Sequence, residues 1–82
     1  MNPPVSESDP LRQLLAEFFN LPAATPPEDL RQKAVANWDS LAMVQLIAEL
    51  QSVYGVQFGL DEIEHLGSYA EIRAALLRKG VL

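Results

Sequence analysis

The 82-residue chain has no cysteine and a single histidine, His65, so neither a disulfide framework nor a His/Cys zinc cage holds it together. A domain of this length without such staples rests on packed side chains alone, and a reducing compartment is the expected setting. No run of eighteen apolar residues occurs, which argues against a membrane span. Met1 to Asp9 lacks the basic and apolar regions of a secretory signal, so a soluble, cytoplasmic protein is expected. Basic residues are scarce. Six Lys and Arg stand against 11 Asp and Glu, for a net charge of −5, and none lies between Lys33 and Arg73. Nucleic-acid binding needs clustered cations, so this balance argues against it. The base-free stretch holds Asp39, Glu49, Asp61, Glu62, Glu64 and Glu71. Two readings fit it: a solvated face that maintains solubility, or a surface that steers basic partners to this half of the molecule.

What is present is mostly aliphatic, with 49% of residues hydrophobic. Residues 1 to 8, rich in Pro and Ser, read as a loose arm, and residues 9 to 82 as one domain. Asp9 offers an N-cap and Pro10 an N1 residue, and Leu11, Leu14, Leu15, Phe18 and Phe19 follow with helical spacing. This first helix should end near Asn20, before Pro22. Leu21 to Asn37 is a long connection in which Thr25-Pro26-Pro27-Glu28 resembles a capping box, opening a short helix over Pro26 to Val35. A second helix is expected from Ser40 to Tyr54, capped by Asp39 or Ser40, with Trp38 stapled onto Met43 and Gly55 as its left-handed stop. Val56 to Phe58 reads as an extended link, and Leu60 to Leu66 as a short helix with Ile63 inward. Ser68-Tyr69-Ala70-Glu71 is another capping box, opening a last helix through Ile72, Ala75 and Leu76 that stops at Gly80. The fold class is all-α: a small four-helix bundle of three main helices and one short one, with a long first connection.

The second helix carries apolar residues on two faces. At roughly 100° per residue, Met43, Leu46, Ile47, Leu50, Val53 and Tyr54 gather in one sector, while Leu41, Val44 and Ala48 sit near the opposite pole. An aligned apolar stripe pointing away from the core is a candidate partner surface. The plainer reading tucks Leu41 under the long connection and leaves Val44 and Ala48 as small exposed residues. Ser40 adds chemistry, because free N–H groups and the positive end of a helix dipole favour a phosphate at this position. A serine before a helix is ordinarily just a cap, and Asp39 brings like charge beside it.

Asp39-Ser40-Leu41, then Val44 to Leu50 and Tyr54-Gly55-Val56, resembles the acyl carrier protein family, in which a D-S-L serine starts the second of four helices. The likeness continues through Leu60-Asp61-Glu62-Ile63-Glu64 and covers roughly residues 9 to 79. It implies that Ser40 receives 4′-phosphopantetheine from coenzyme A through a Mg²⁺-dependent phosphopantetheinyl transferase, and that substrates ride as thioesters on the arm's thiol. It also implies a partner surface of Leu41, Val44 and Ala48, flanked by Asp39, Glu49, Asp61, Glu62 and Glu64. Loading ligases or transferases and synthases of a fatty-acid, polyketide or other specialised pathway would dock there. The protein itself would be a monomer with no catalytic residue. Leu46, Phe58 and Ile63 are the implied lining of any space for an acyl chain.

This chain departs from fatty-acid carriers in one respect. Glu49 is the lone acid within its second helix, so partner contact should lean on the apolar stripe and on Asp61, Glu62 and Glu64. Trp38 before Asp39 resembles free-standing carriers of specialised pathways. An aminoacyl carrier of the D-alanyl or peptidyl type, or an unmodified carrier-like interaction domain, are the alternatives. A hydrolase built on Ser40 and His65 has no Gly-x-Ser-x-Gly elbow to support it. Asp61, Glu62 and Glu64 do not have the spacing of a Ca²⁺ loop, and no metal site is expected.

Overall fold

The computed structural model describes residues 9–22 and 24–82, so the arm expected over residues 1–8 lies outside the described residues. Four α-helices are present among them: α1 (Pro10–Phe18), α2 (Ser40–Tyr54), α3 (Leu60–Ile63) and α4 (Tyr69–Arg78). No strand is formed among the described residues, so the fold is the expected small all-α bundle.

Each helix boundary has a local cause. The Asp9 carboxylate accepts from the Arg12 N–H and Pro10 needs no partner for its nitrogen, so α1 starts there. Its chain turns out through Asn20 at φ 58°, a left-handed conformation that Asn tolerates better than most residues. Helix α2 ends at Gly55, whose φ of 65° lets its N–H return to the Gln51 carbonyl. The Ser68 hydroxyl accepts from the Glu71 N–H to open α4. Glu71 reaches past the N-cap to the Gly67 N–H at 3.1 Å, so the second half of the box is displaced by one residue.

The core is one cluster. Leu11, Leu15 and Phe19 from α1 and its exit meet Leu46, Ile47 and Leu50 of α2 and Ile72, Ala75 and Leu76 of α4. Leu30, Val35, Trp38, Phe58 and Leu66 close it from the connections. Burying such a side chain contributes about 1.5–3 kcal/mol against the entropy of ordering the chain.

The long connection does not form the helix expected over Pro26 to Val35. Only a single 3₁₀ turn, Pro27–Asp29, is present, without a side-chain cap. The Thr25 hydroxyl instead donates to the Pro22 carbonyl at 2.7 Å. Beyond the turn, the Gln32 N–H bonds the Gly67 carbonyl and the Tyr69 N–H the Leu30 carbonyl. These bonds form an isolated antiparallel bridge between Arg31 and Ser68, and Leu30 is fully buried beside it. Tertiary hydrogen bonds thus take backbone groups that a helix would have used. Arg12, nearly buried, donates from Nε to the Thr25 carbonyl and holds the other end of the connection.

Helix α3 is shorter than the expected Leu60 to Leu66, with Ile63 half-buried against the core as expected. Four residues cannot hold a helix alone, and Glu62 supplies the missing ties. Its carboxylate accepts from the Gly59 N–H at 2.8 Å and from the Lys79 ammonium at 3.0 Å. These two donors hold the Glu62 carboxyl below its ordinary range. Lys79 also lies 5.2 Å over the Phe58 ring.

Asp9 links the starts of α1 and α4, because its second carboxylate oxygen accepts from the Tyr69 hydroxyl. Burial and then this bond push the Tyr69 pKa up to about 12 from 10.0. Tyr54 is raised as well, by burial first and then by the charge of Asp9. A phenol whose folded pKa exceeds its unfolded value contributes stability that is whole below the unfolded pKa, near 10, and lost as pH rises towards 12. Urea unfolding between pH 9 and 12 should therefore show a decline in wild-type stability that is shallower in Tyr69→Phe. A residual decline should remain from Tyr54.

Candidate functional site at the start of the second helix

The start of α2 is fixed by an aromatic wedge. Trp38, the one residue of its type, is 3% exposed and stacks on Phe19 with ring centroids 4.6 Å apart. Phe19 in turn meets Phe18 edge-on. The indole N–H points at the Met43 sulfur, 2.8 Å away, which is the staple between N′ and N4 expected from the sequence. The Asn37 side chain donates to the Phe19 carbonyl, tying the same approach segment to the end of α1. The chain therefore enters α2 on a fixed heading.

Asp39 is the N-cap, and its carboxylate accepts from the Ala42 N–H at 2.9 Å. Ser40 is the first helical residue and is exposed. Among the described residues nothing bonds its hydroxyl, and the N–H groups of Ser40 and Leu41 have no partner. A hydroxyl, two free donors and the positive end of a fifteen-residue helix thus converge on one exposed position.

The outward stripe is present. Leu41 is 66% exposed and Val44 68%, and Ala48 is exposed too, so Leu41 is not tucked under the connection. On the opposite face Leu46, Ile47 and Leu50 are buried, and Met43 and Tyr54 are half-buried. Val53 departs from the expected core sector and is 54% exposed. It lies at the edge of that sector, whereas Tyr54 in the same turn falls inside it and packs against the core.

The expected acidic residues separate. Asp61 and Glu64 are exposed, whereas Glu62 is committed to Gly59 and Lys79. Glu49 stands apart from them and lines a cleft with Leu14, Glu17 and Phe18 of α1. His65 is exposed. No group of three or more His, Cys, Asp or Glu that could hold a metal occurs among the described residues. No described helix is long and apolar enough to cross a membrane.

Two further features carry no sequence signal. Leu60 is 84% exposed at the start of α3, and Gln51 Oε1 accepts from the Phe58 N–H, fixing the link after α2. Of the residues implied as lining for cargo, Leu46 and Phe58 are buried in the core and Ile63 packs half-buried against it.

The structure is a small helical bundle with an exposed serine at the capped start of α2. The model of the phosphopantetheine attachment site family matches residues 9–76, and the chain belongs to that family. It is therefore a phosphopantetheine-bearing carrier, its 4′-phosphopantetheine covalently attached. Carrier domains of this kind are non-catalytic, are modified by a phosphopantetheinyl transferase and serve partner enzymes. No curated protein and no solved structure matches the chain.

The geometry gives two stability expectations. Asp39→Ala should lower stability by about 1 kcal/mol, while Asp39→Asn, which keeps a cap acceptor, should stay close to wild type in urea unfolding. Trp38→Ala should cost roughly 3–5 kcal/mol, read by far-UV circular dichroism because the fluorophore is gone.

Proposed function

We propose that Ser40 is the attachment residue and that the protein carries acyl intermediates as thioesters, presenting them to biosynthetic enzymes of a fatty-acid, polyketide or other specialised pathway. The observation that carries this reading is the exposed Ser40 hydroxyl at the first position of α2, within the matched span. The residues there fit a phosphodiester. The Ser40 and Leu41 N–H groups at the start of α2 would be available to its oxygens, and the helix dipole favours its charge. Asp39 is compatible with it because its carboxylate is turned to the Ala42 N–H. When bound, the arm supplies a flexible thiol on which cargo is held.

The chain's own part is presentation. Ser40 supplies the acceptor oxygen, Asp39 holds the helix start, and Trp38 sets its direction. Leu41, Val44 and Ala48 offer an apolar docking strip, which association would remove from water. Asp39, Glu49, Asp61, Glu62 and Glu64 supply negative potential around it, with Glu62 the weakest contributor because Lys79 neutralises it. A monomer in the cytoplasm belongs to the same reading.

Incubation with coenzyme A and a broad-specificity transferase should add one phosphopantetheine to the intact mass, and Ser40→Ala should abolish the addition. A wild-type protein left unmodified by several transferases would overturn the assignment. An aminoacyl thioester on protein isolated from its native host would reassign the cargo.

A further inference from the structure

We infer that Met43 is a site of reversible oxidation: a peroxide converts its thioether to the sulfoxide, which breaks the Trp38 staple and loosens the start of α2. The consequence for Ser40 rests on the carrier reading, whereas the oxidation itself does not.

The chain has no cysteine and two methionines, Met1 and Met43, so no thiol of its own competes for a peroxide. Met43 holds the sole thioether among the described residues. It is half-buried against the core, and so within reach of a small oxidant. Its sulfur accepts from the Trp38 indole N–H at 2.8 Å. That indole is 3% exposed and stacked on Phe19, which makes it the fixed member of the pair and the unbranched methionine the adaptable one. Met43 also closes the first turn of α2, its N–H bonded to the Asp39 carbonyl at 2.9 Å. One residue thus joins the aromatic wedge to the helix start that carries Ser40.

A thioether sulfur has two lone pairs. The indole N–H occupies one, and only the other is open to an electrophile. This pair attacks the outer oxygen of a peroxide: an S–O bond forms, the O–O bond breaks, and the displaced oxygen takes the proton and leaves as water or an alcohol. Sulfur gives up two electrons and the peroxide accepts them. Attack through one lone pair yields one sulfoxide epimer, which one stereospecific reductase returns to the thioether by oxidising its own dithiol and releasing water. The product does not fit the staple. A sulfoxide sulfur carries partial positive charge and no longer accepts, and 2.8 Å leaves no room for the oxygen between sulfur and nitrogen. The indole N–H, shut off from water, loses its acceptor, and the new dipole draws the Met43 side chain towards solvent.

The test treats unmodified protein, which lacks the arm's competing thiol, with hydrogen peroxide. Peptide mapping should place one oxygen on Met43, and Trp38, the sole tryptophan, should report it by a change of fluorescence with the same rate constant. Urea unfolding followed by circular dichroism should show a roughly tenfold fall in the folding equilibrium constant, the size expected for a buried donor left unpaired. Met43→Leu, which keeps the apolar volume, should show no peroxide-dependent change in fluorescence. One of the two epimer-specific reductases should restore the wild-type spectrum and the other should not. Transferase-catalysed attachment at Ser40 should slow severalfold on oxidation and recover on reduction. Oxygen confined to Met1, or oxidation of Met43 with fluorescence and unfolding unchanged, would overturn the inference. So would equal repair by both reductases, or attachment that oxidation leaves untouched. Absence of attachment before any oxidation would instead refute the Ser40 reading, with the mapping and fluorescence results still deciding this one.

Discussion

The stack of Trp38 on Phe19 is the constraint on which the rest of this molecule depends. A helix start is the least determined part of a helix, because its first N–H groups have no internal partners and nothing local fixes the angle of entry. Here the residue two places before Ser40 is nearly buried, stacked on the end of α1 and set against Met43 inside α2. The end of α1, the approach segment and the first turns of α2 therefore share one joint. Asp39 and Ser40 follow immediately and have nowhere to go but outwards. The exposure of the serine is thus a consequence of the burial of the tryptophan.

The long connection serves the same end. Leu30 and Val35 are buried, Arg12 holds the Thr25 carbonyl, and the bridge at Arg31 and Ser68 fastens the loop to the start of α4. A segment that looks like slack chain is instead part of the core wall. The far side of α2 is fastened differently, by polar ties from Gln51 to Phe58 and from Glu62 to Gly59 and Lys79. This leaves the two flanks of α2 unlike each other. One has a short helix whose central carboxylate is already paired, and the other a cleft whose two carboxylates are not.

Much of this was legible in the sequence because its punctuation is local. Asp39 and Gly55 bracket α2 by capping chemistry that needs no tertiary partner, and the same holds for Asp9-Pro10 before α1 and Ser68 before α4. Helical periodicity placed Leu46, Ile47 and Leu50 inward and Leu41, Val44 and Ala48 outward. Periodicity gives an angle about the helix axis but not where the core's edge falls, so Val53, at the margin of the inward sector, is exposed. The helix expected after Pro26 failed for another reason: its capping signal was real in type, but Thr25 and the backbone after Leu30 found partners outside the segment.

The sequence by itself determined the helices, their caps, the two-faced character of α2 and the serine at its head, because each rests on interactions spanning a few residues. Only the tertiary structure decided which acidic residues are neutralised and which face empty space. Glu62 and Lys79 are 17 positions apart, and the Glu17 and Glu49 that share a cleft lie on different helices. Charges in a chain can be counted, but whether a charge is paired depends on where folding brings its neighbours.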